Sequence, residues 1–225
     1  NKEIVLAPTS DRISSTISGK VAFYQLTKAH RSIVSRVWGG VTRAMLRVYW
    51  ISRLDGFGRK SSIALPAAIV GGSGIHIGSR VQIWRNARIE ALESMSGRAN
   101  IRIADGSVIQ PYVHIGAVVS VSIGHYVLIA SRVYISDHDH DFSNPSKPPD
   151  SNMLVAAAVS IGNYVWLGEG VIVLKGVHIG EHSVIGAGSV VTKSVPPYSV
   201  AVGAPARVIR RYDPLLEEWL PVVQQ

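Results

Sequence analysis

The chain contains no cysteine. That excludes a disulfide framework, a thiolate nucleophile and any zinc site built on thiolates. Charged residues make up only 17% of the chain against 47% hydrophobic, which argues against disorder along its length. No apolar run reaches the length of a bilayer-spanning helix. Asn1 to Gly19 is polar and lacks the charged start and apolar centre of a secretory signal, so the expected location is cytoplasmic. Acidic residues are the scarcer charge, 15 against 23 Lys and Arg, leaving a formal net charge of +8. Such an excess favours anionic partners: nucleic acid, an anionic membrane face or a phosphorylated ligand. At 225 residues there is room for one large domain with a full core and a small appendage.

What the chain does contain is a repeat, and a repeat decides a fold before local propensity does. Aliphatic residues recur every sixth position: Ile77, Ile83 and Ile89; Ile103, Ile109 and Ile115; Ile123, Ile129 and Ile135; then Ile161, Leu167, Val173, Ile179, Ile185 and Val191. Gly or Ala often follows, as at Gly78, Gly116, Gly124, Gly162 and Gly186. A small or β-branched residue tends to lie four after the aliphatic one, as at Val81, Ser107, Val127 and Val165. Six residues make a short strand and a tight corner; the aliphatic side chain points inward and the small residue permits the corner. Three such units close a triangular coil, and stacked coils cover one another's open faces. A helix would need apolar residues at i, i+3, i+4 and i+7, and sandwich strands do not recur at strict six-residue spacing.

The period breaks in three places. From Ile89 to Ile103 the step is 14, with a bulge around Ser94–Asn100; from Ile115 to Ile123 it is 8; from Ile135 to Ile161 it is 26. The longest break is polar and Pro-rich and predicts a loop over residues 137–158 that leaves the coil. It opens on Asp137-His138-Asp139-His140-Asp141.

This pattern, over roughly Ile63 to Arg211, resembles the hexapeptide-repeat acyltransferases, in particular the maltose and galactoside O-acetyltransferases and the cell-surface polysaccharide O-acetyltransferases. Their coils wind left-handed, against the usual crossover rule; the resemblance, not the periodicity, supplies the hand. It implies an all-β left-handed parallel β-helix, a homotrimer with active sites between subunits, acetyl-CoA as acyl donor with no required metal, and a saccharide acceptor. In such enzymes a histidine at the foot of the inserted loop is the general base. Aligned on the flank Ile161-Gly162-Asn163-Tyr164-Val165-Trp166-Leu167-Gly168, that position falls on His138, with His140 as second choice. Asp137, Asp139 and Trp166 are then expected at the acceptor, Trp166 as a wall beside the histidine.

The chemistry suits an imidazole. Acyl transfer from a thioester needs a base for the acceptor hydroxyl or amine and an acid for the departing thiolate, and a group with an ordinary pKa of about 6.5 can serve as both near neutral pH. A backbone N–H should hold the oxyanion; Gly168 is the candidate. Two other readings of the DHDHD cluster stay open, a divalent metal site and a polar loop start without chemistry. An extended chain would turn the two histidines to one side and the three aspartates to the other, splitting a ligand set. His114, His125, His178 and His182 read as solvent-facing. At the level of function the alternatives are N-acetylation of a nucleotide-linked amino sugar and a metal-binding or non-catalytic β-helix.

Near the C-terminus the run Ile185-Gly186-Ala187-Gly188-Ser189-Val190-Val191-Thr192-Lys193, followed by Pro196-Pro197 and Gly203-Ala204-Pro205-Ala206-Arg207, resembles the family's terminal signature. By that resemblance the coil around Ala187 lines the pantetheine arm of CoA, Gly168 belongs to the donor site with it, and Thr192, Lys193, Arg207 and Arg210 lie near the nucleotide and phosphates. Small residues let an extended ligand approach the backbone, and clustered cations receive phosphates. Pro196-Pro197 should stop the repeat.

Residues 1–60 form a separate N-terminal segment. Ile33, Val34, Val37, Val41, Ala44, Met45 and Val48 follow helical spacing, with Arg36, Arg43 and Arg47 on the opposite stripe. Gly39-Gly40 weakens that helix in its middle. It can pack on the coils or lie on an anionic membrane as a peripheral contact; no recognition motif accompanies the charge, so nucleic acid is not expected. The β-helix is expected over residues 61–211 and a short helix near Leu215–Leu220 within residues 212–225.

Overall fold

The computed structural model describes residues 33–94, 97–148 and 153–222. The chain divides into two units, residues 1–44 and 45–225. The second carries the repeat, and helix α1 (Ile33–Arg53) runs across the division. The Asn1–Gly19 reading and the side chains of Arg36 and Arg43 lie outside the described residues.

Each hexapeptide lays down one short strand, and the strands stack in three parallel sheets that form the faces of a left-handed β-helical prism. The first face holds Gly56–Phe57, Ile75–Ile77, Asn100–Ile103, Ser120–Ile123, Val159–Ile161 and His178–Ile179. The second begins with Ser62–Ile63, Gln82–Ile83, Val108–Ile109, Leu128–Ile129, Trp166–Leu167 and Val184–Ile185. The third holds Ala68–Val70, Arg88–Ala91, His114–Ala117, Tyr134–Ser136, Ile172–Val173 and Val190–Val191. Register follows the repeat: Ile83, Ile109, Ile129, Leu167 and Ile185 pair in sequence up the second face. All five are buried, and with their counterparts on the other faces they fill the prism. Parallel stacking starts at Gly56, a few residues before the sequence boundary at 61.

All three breaks in the period fall at the corner between the third and first faces. The step of 14 makes a small antiparallel hairpin, Glu93–Ser94 with Gly97–Arg98. The step of 8 inserts two residues around Val118–Val119 between His114–Ala117 and Ser120–Ile123. The step of 26 makes the inserted loop, whose base is a second hairpin, His138–His140 against Leu154–Ala156. At a corner the chain can lengthen outward without disturbing the stacked interior, so insertions collect there.

The corner between the first and second faces carries a different signature. Its turn residues Tyr126, Tyr164, His182 and Tyr198 have φ of 54°, 57°, 56° and 54°, the left-handed region that bulky residues avoid at about 1–2 kcal/mol. Their rings stack at 5.5, 4.7 and 4.8 Å between successive centroids, and Tyr212 and Trp219 extend the ladder. Stacking, at about 0.5–1.5 kcal/mol per pair, offsets the backbone strain. Tyr164→Ala, which keeps the strain and removes two stacked contacts, is expected to lower unfolding free energy by about 1–3 kcal/mol. Tyr164→Gly also relieves the left-handed conformation and should recover part of that loss. Equal urea midpoints for the two variants would contradict this division.

Helix α1 continues through Gly39-Gly40; a glycine pair weakens a helix without ending it. Its last turns cap the base of the prism, where Trp50 and Leu54 join the core. Arg47 does not belong to a free cationic stripe. Its guanidinium donates to the carbonyl of Gly58 at 2.8 Å and lies 5.5 Å from the centroid of the Phe57 ring, so it holds the helix end to the first coil. Among the described residues no helix is long and apolar enough to cross a membrane.

The other end departs from expectation twice. Pro196-Pro197 does not end the stack: Val195 still bridges to Ile179, and Ser199–Gly203 adds a strand to the second face. The expected C-terminal helix is absent. Ala206–Asp213 returns antiparallel on Ser199–Gly203, and Glu218–Pro221 returns on it in turn. Trp219 pairs with Tyr212, and the Asp213 carboxylate accepts the N–H groups of Leu215 and Leu216 in the intervening turn. The aromatic ladder and the uncovered edge of the second face favour strand pairing over a helix too short to be stable alone.

Candidate active site

The site is built where the longest insertion leaves the third face. Tyr134–Ser136 is the last regular strand, and Asp137 follows at the corner with its side chain fully buried. A buried carboxylate needs its oxygens satisfied, and here the donors come from the break of eight one coil earlier. Oδ1 of Asp137 accepts the N–H of Val118 at 2.8 Å; Oδ2 accepts those of Val119 at 2.8 Å and Ser120 at 2.7 Å. The two extra residues therefore turn a run of backbone N–H groups onto one carboxylate.

Oδ1 also lies 2.9 Å from Nδ1 of His138. With an ionised carboxylate as acceptor, Nδ1 carries the hydrogen and Nε2 keeps its lone pair. The Ser136 hydroxyl fixes the main chain that carries the ring: His138 N–H donates to Ser136 Oγ at 3.2 Å, and Ser136 Oγ–H donates to the His138 carbonyl at 2.8 Å. The imidazole is 18% exposed. It lies over Gly116, where an added Cβ would come 3.5 Å from His138 Cε1.

The sequence reading placed Asp137 against the substrate. The structure gives it no exposed surface and four donors on its oxygens, so in this chain it bonds the His138 ring and the Val118–Ser120 backbone rather than facing a ligand. The expectation that all three aspartates turn away from the histidines also fails at Asp137, which bends back onto its neighbour at the corner. Asp139 is paired with Lys175, which comes from the next coil at the same corner. His140 is exposed on the hairpin, opposite Leu154. Trp166 is half exposed but belongs to the second face, so one chain does not bring it onto the same face as His138.

Gly168 cannot serve as the oxyanion donor, because its N–H donates to the Ile185 carbonyl at 2.8 Å. It stacks beneath Ala187, whose N would lie 2.6 Å from a Cβ at Gly168. Lys193 and Arg207 come together and line a cavity of about 280 Å³. Thr192 adjoins it, and Arg210 lies exposed farther along the strand of Arg207.

One group of residues escaped the sequence reading. His114, assigned there to solvent, stands beside His138, its Nε2 3.7 Å from the same point above Gly116. That nitrogen lies 3.2 Å from Glu90, which Arg88 also grips at 2.8 Å. Burial pushes the His114 imidazole below its ordinary value, against the Glu90 hydrogen bond that works to raise it. Burial works to raise the Glu90 carboxyl as well, but the bonds from Arg88 and His114 outweigh it and hold the group below the usual carboxylate range. The only advance signal was alternation: Arg88 and Glu90 flank the inward Ile89, and His114 precedes the inward Ile115.

Comparison with known proteins places this geometry in a family. Residues 158–193 match the family described as Bacterial transferase hexapeptide (six repeats). Over 164 residues the chain is 39% identical to WbbJ of Escherichia coli (strain K12), named for lipopolysaccharide biosynthesis O-acetyl transfer, covering 70% of this chain and 82% of that protein. The chain belongs to the hexapeptide-repeat acyltransferase family. It is an acyltransferase, and WbbJ is one of several matched relatives named as acetyltransferases. The galactoside O-acetyltransferase of the same organism is 34% identical over 94 residues, covering 42% of this chain and 45% of that one. Among solved structures, AntD, an N-acyltransferase from Bacillus cereus in complex with dTDP-4-amino-4,6-dideoxyglucose and coenzyme A, superposes with a TM-score of 0.61 at 24% identity. It covers 74% of this chain and 89% of that one, a likeness of fold.

The carboxylates of the DHDHD segment are committed to protein partners, Asp137 to backbone N–H groups, Asp139 to Lys175 and Asp141 to Ser143. A metal would have to displace those contacts before it found ligands. Prolonged treatment with a chelator is therefore expected to leave both the melting temperature and acetyl transfer unchanged. Stoichiometric zinc in the purified protein, with activity lost on its removal, would contradict this.

Proposed function

We propose that this acetyltransferase moves the acetyl group of acetyl-CoA directly to a hydroxyl of a saccharide, a cell-surface polysaccharide or its precursor, with His138 as general base. The observation that carries the reading is the fully buried Asp137 bonded to His138 Nδ1, which leaves Nε2 to the acceptor. Nε2 takes the hydroxyl proton as the oxygen attacks the thioester carbonyl. The C–S bond then breaks, and the imidazolium returns the proton to the departing thiolate. No covalent enzyme intermediate is required, in keeping with the absence of cysteine.

The donor would lie along the upper coils, its phosphates near Lys193 and Arg207 and its pantetheine arm against Ala187. Ala187 lies at the corner between the second and third faces and Lys193 at that between the third and first, where His138 also lies, whereas Trp166 stands on the second face. A homotrimer, in which a corner of one copy faces the neighbouring copy, would unite them, and Trp166 would then wall the acceptor site from across the boundary. The test is acetyl transfer to lipopolysaccharide oligosaccharides and simple glycosides, read as acetyl ester by mass spectrometry, with the oligomer measured by light scattering. Acetyl-CoA consumed only with amino sugars, yielding amides, would replace the O-acetyl reading.

A further inference from the structure

His138 and His114 converge over Gly116, and only the first has a role in the transfer proposed above. The strands that carry them are neighbours in the third face, with His114 opposite Tyr134 and Gly116 opposite Ser136. Each ring is anchored through one nitrogen to a carboxylate: His138 through Nδ1 to Asp137 at 2.9 Å, His114 through Nε2 to Glu90 at 3.2 Å. Glu90 is itself fixed by Arg88. An ionised carboxylate only accepts, so Nε2 of His114 carries the hydrogen and Nδ1 the lone pair. Burial opposes protonation of this ring, which keeps the lone pair available near neutral pH. Nδ1 has no protein partner among the described residues and is not among their buried, unpartnered polar atoms, of which Trp50 Nε1 is the one instance. The His114 side chain is 29% exposed.

We propose that His114 is a specificity-determining residue of the acceptor site. It accepts a hydrogen bond from a second hydroxyl of the acceptor ring, next to the hydroxyl that His138 deprotonates, so the favoured acceptor is a ring presenting two neighbouring hydroxyls. This rests on the saccharide reading above. Two imidazoles fixed over one glycine, each with one nitrogen held by a carboxylate, orient a ring in a way one cannot, and so select which hydroxyl is acetylated. A site built to bond a hydroxyl rejects an analogue lacking it, because the polar group meant for it is left unpaired. A purely structural His114 would instead serve through its edge contact with Tyr134, at 5.1 Å between centroids. Phenylalanine retains that contact without the lone pair.

The experiment measures CoA release with methyl glucopyranoside, galactopyranoside and mannopyranoside, then with the monodeoxy derivatives of whichever is turned over fastest. For the wild type, removing one hydroxyl that is not itself acetylated should lower kcat/KM by roughly 10–100-fold. His114→Phe should show the same loss on the parent glycoside and no longer distinguish it from that deoxy derivative, with KM for acetyl-CoA little changed. His114→Gln, which offers an amide oxygen in place of the lone pair, should recover part of the discrimination and serves if the Phe variant does not fold. A wild type indifferent to every single deoxygenation, or a His114→Phe enzyme that discriminates as the wild type does, overturns the proposal while leaving the saccharide reading standing. If the wild type acetylates none of the glycosides, the saccharide reading falls and this one with it.

Discussion

His138→Ala is expected to lower kcat by roughly 10²–10⁴-fold with CoA affinity close to wild type. The lower bound is the loss of a positioned base alone. The upper bound adds the loss of the acid that protonates the thiolate, since in the proposed mechanism the same imidazole serves both steps. CoA affinity should hold, because the residues assigned to its phosphates, Lys193 and Arg207, line a cavity on later coils and share no contact with His138. His140→Ala is the internal control. That ring is exposed on the hairpin and has no carboxylate to fix its tautomer among the described residues, so its removal should change kcat less than threefold or so, the scale of an ordinary surface substitution. Single-turnover rates with a saturating glycoside, alongside CoA titration, separate the two proteins. A full loss in His140→Ala with near-normal turnover in His138→Ala would move the base by two residues. Retained activity in both would sink the mechanism.

The difference between these two histidines shows what the sequence could and could not disclose. Period-six spacing made the interior legible residue by residue: Ile83, Ile109, Ile129, Leu167 and Ile185 are at once the sequence repeat and the pairing register. The breaks were visible too, but not that all three fall at one corner, which needs the count of three units per coil carried through each insertion. That is why Asp137 was read as a substrate ligand. Its partners are backbone N–H groups at Val118, Val119 and Ser120, and backbone donors carry no sequence signature beyond the two extra residues that expose them. His114 escaped for a related reason. Glu90, His114 and His138 stand 24 residues apart each time, but insertions of unequal length take that spacing out of the pairing register, where His114 lies opposite Arg88 and Tyr134. The C-terminal residues failed differently: the apolar residues between Leu215 and Leu220 read as a helix, whereas the pairing of Trp219 with Tyr212 and the free edge of the second face are tertiary terms that propensity does not contain.

Asp137→Ala should combine a large loss of stability with loss of catalysis. The carboxylate satisfies three N–H groups, of which that of Val118 is on a buried residue. An orphaned buried donor costs about 1–3 kcal/mol. Water can reach the exposed Val119 and replace the loss there, so about 2–6 kcal/mol is expected from the other two donors. That is a large share of the roughly 5–15 kcal/mol that holds an ordinary domain folded. Asp137→Asn separates the two effects. The four groups around this side chain are all donors, and an amide offers them one oxygen and one NH₂. The amide keeps an acceptor for Val119 and Ser120 if its oxygen occupies the Oδ2 position, so the stability loss should be smaller than for alanine. The NH₂ then faces His138, which can accept from it only through a deprotonated Nδ1. That moves the ring hydrogen to Nε2, the nitrogen required to accept the acceptor's proton. A variant that folds yet holds the wrong tautomer should lose kcat by roughly 10²–10⁴-fold with KM for acetyl-CoA little changed. Urea unfolding and single-turnover kinetics on both variants test this directly. An asparagine variant with wild-type kcat would mean that Asp137 does not set the state of His138, and an alanine variant with a wild-type urea midpoint would mean that the nest of N–H groups finds its partners elsewhere.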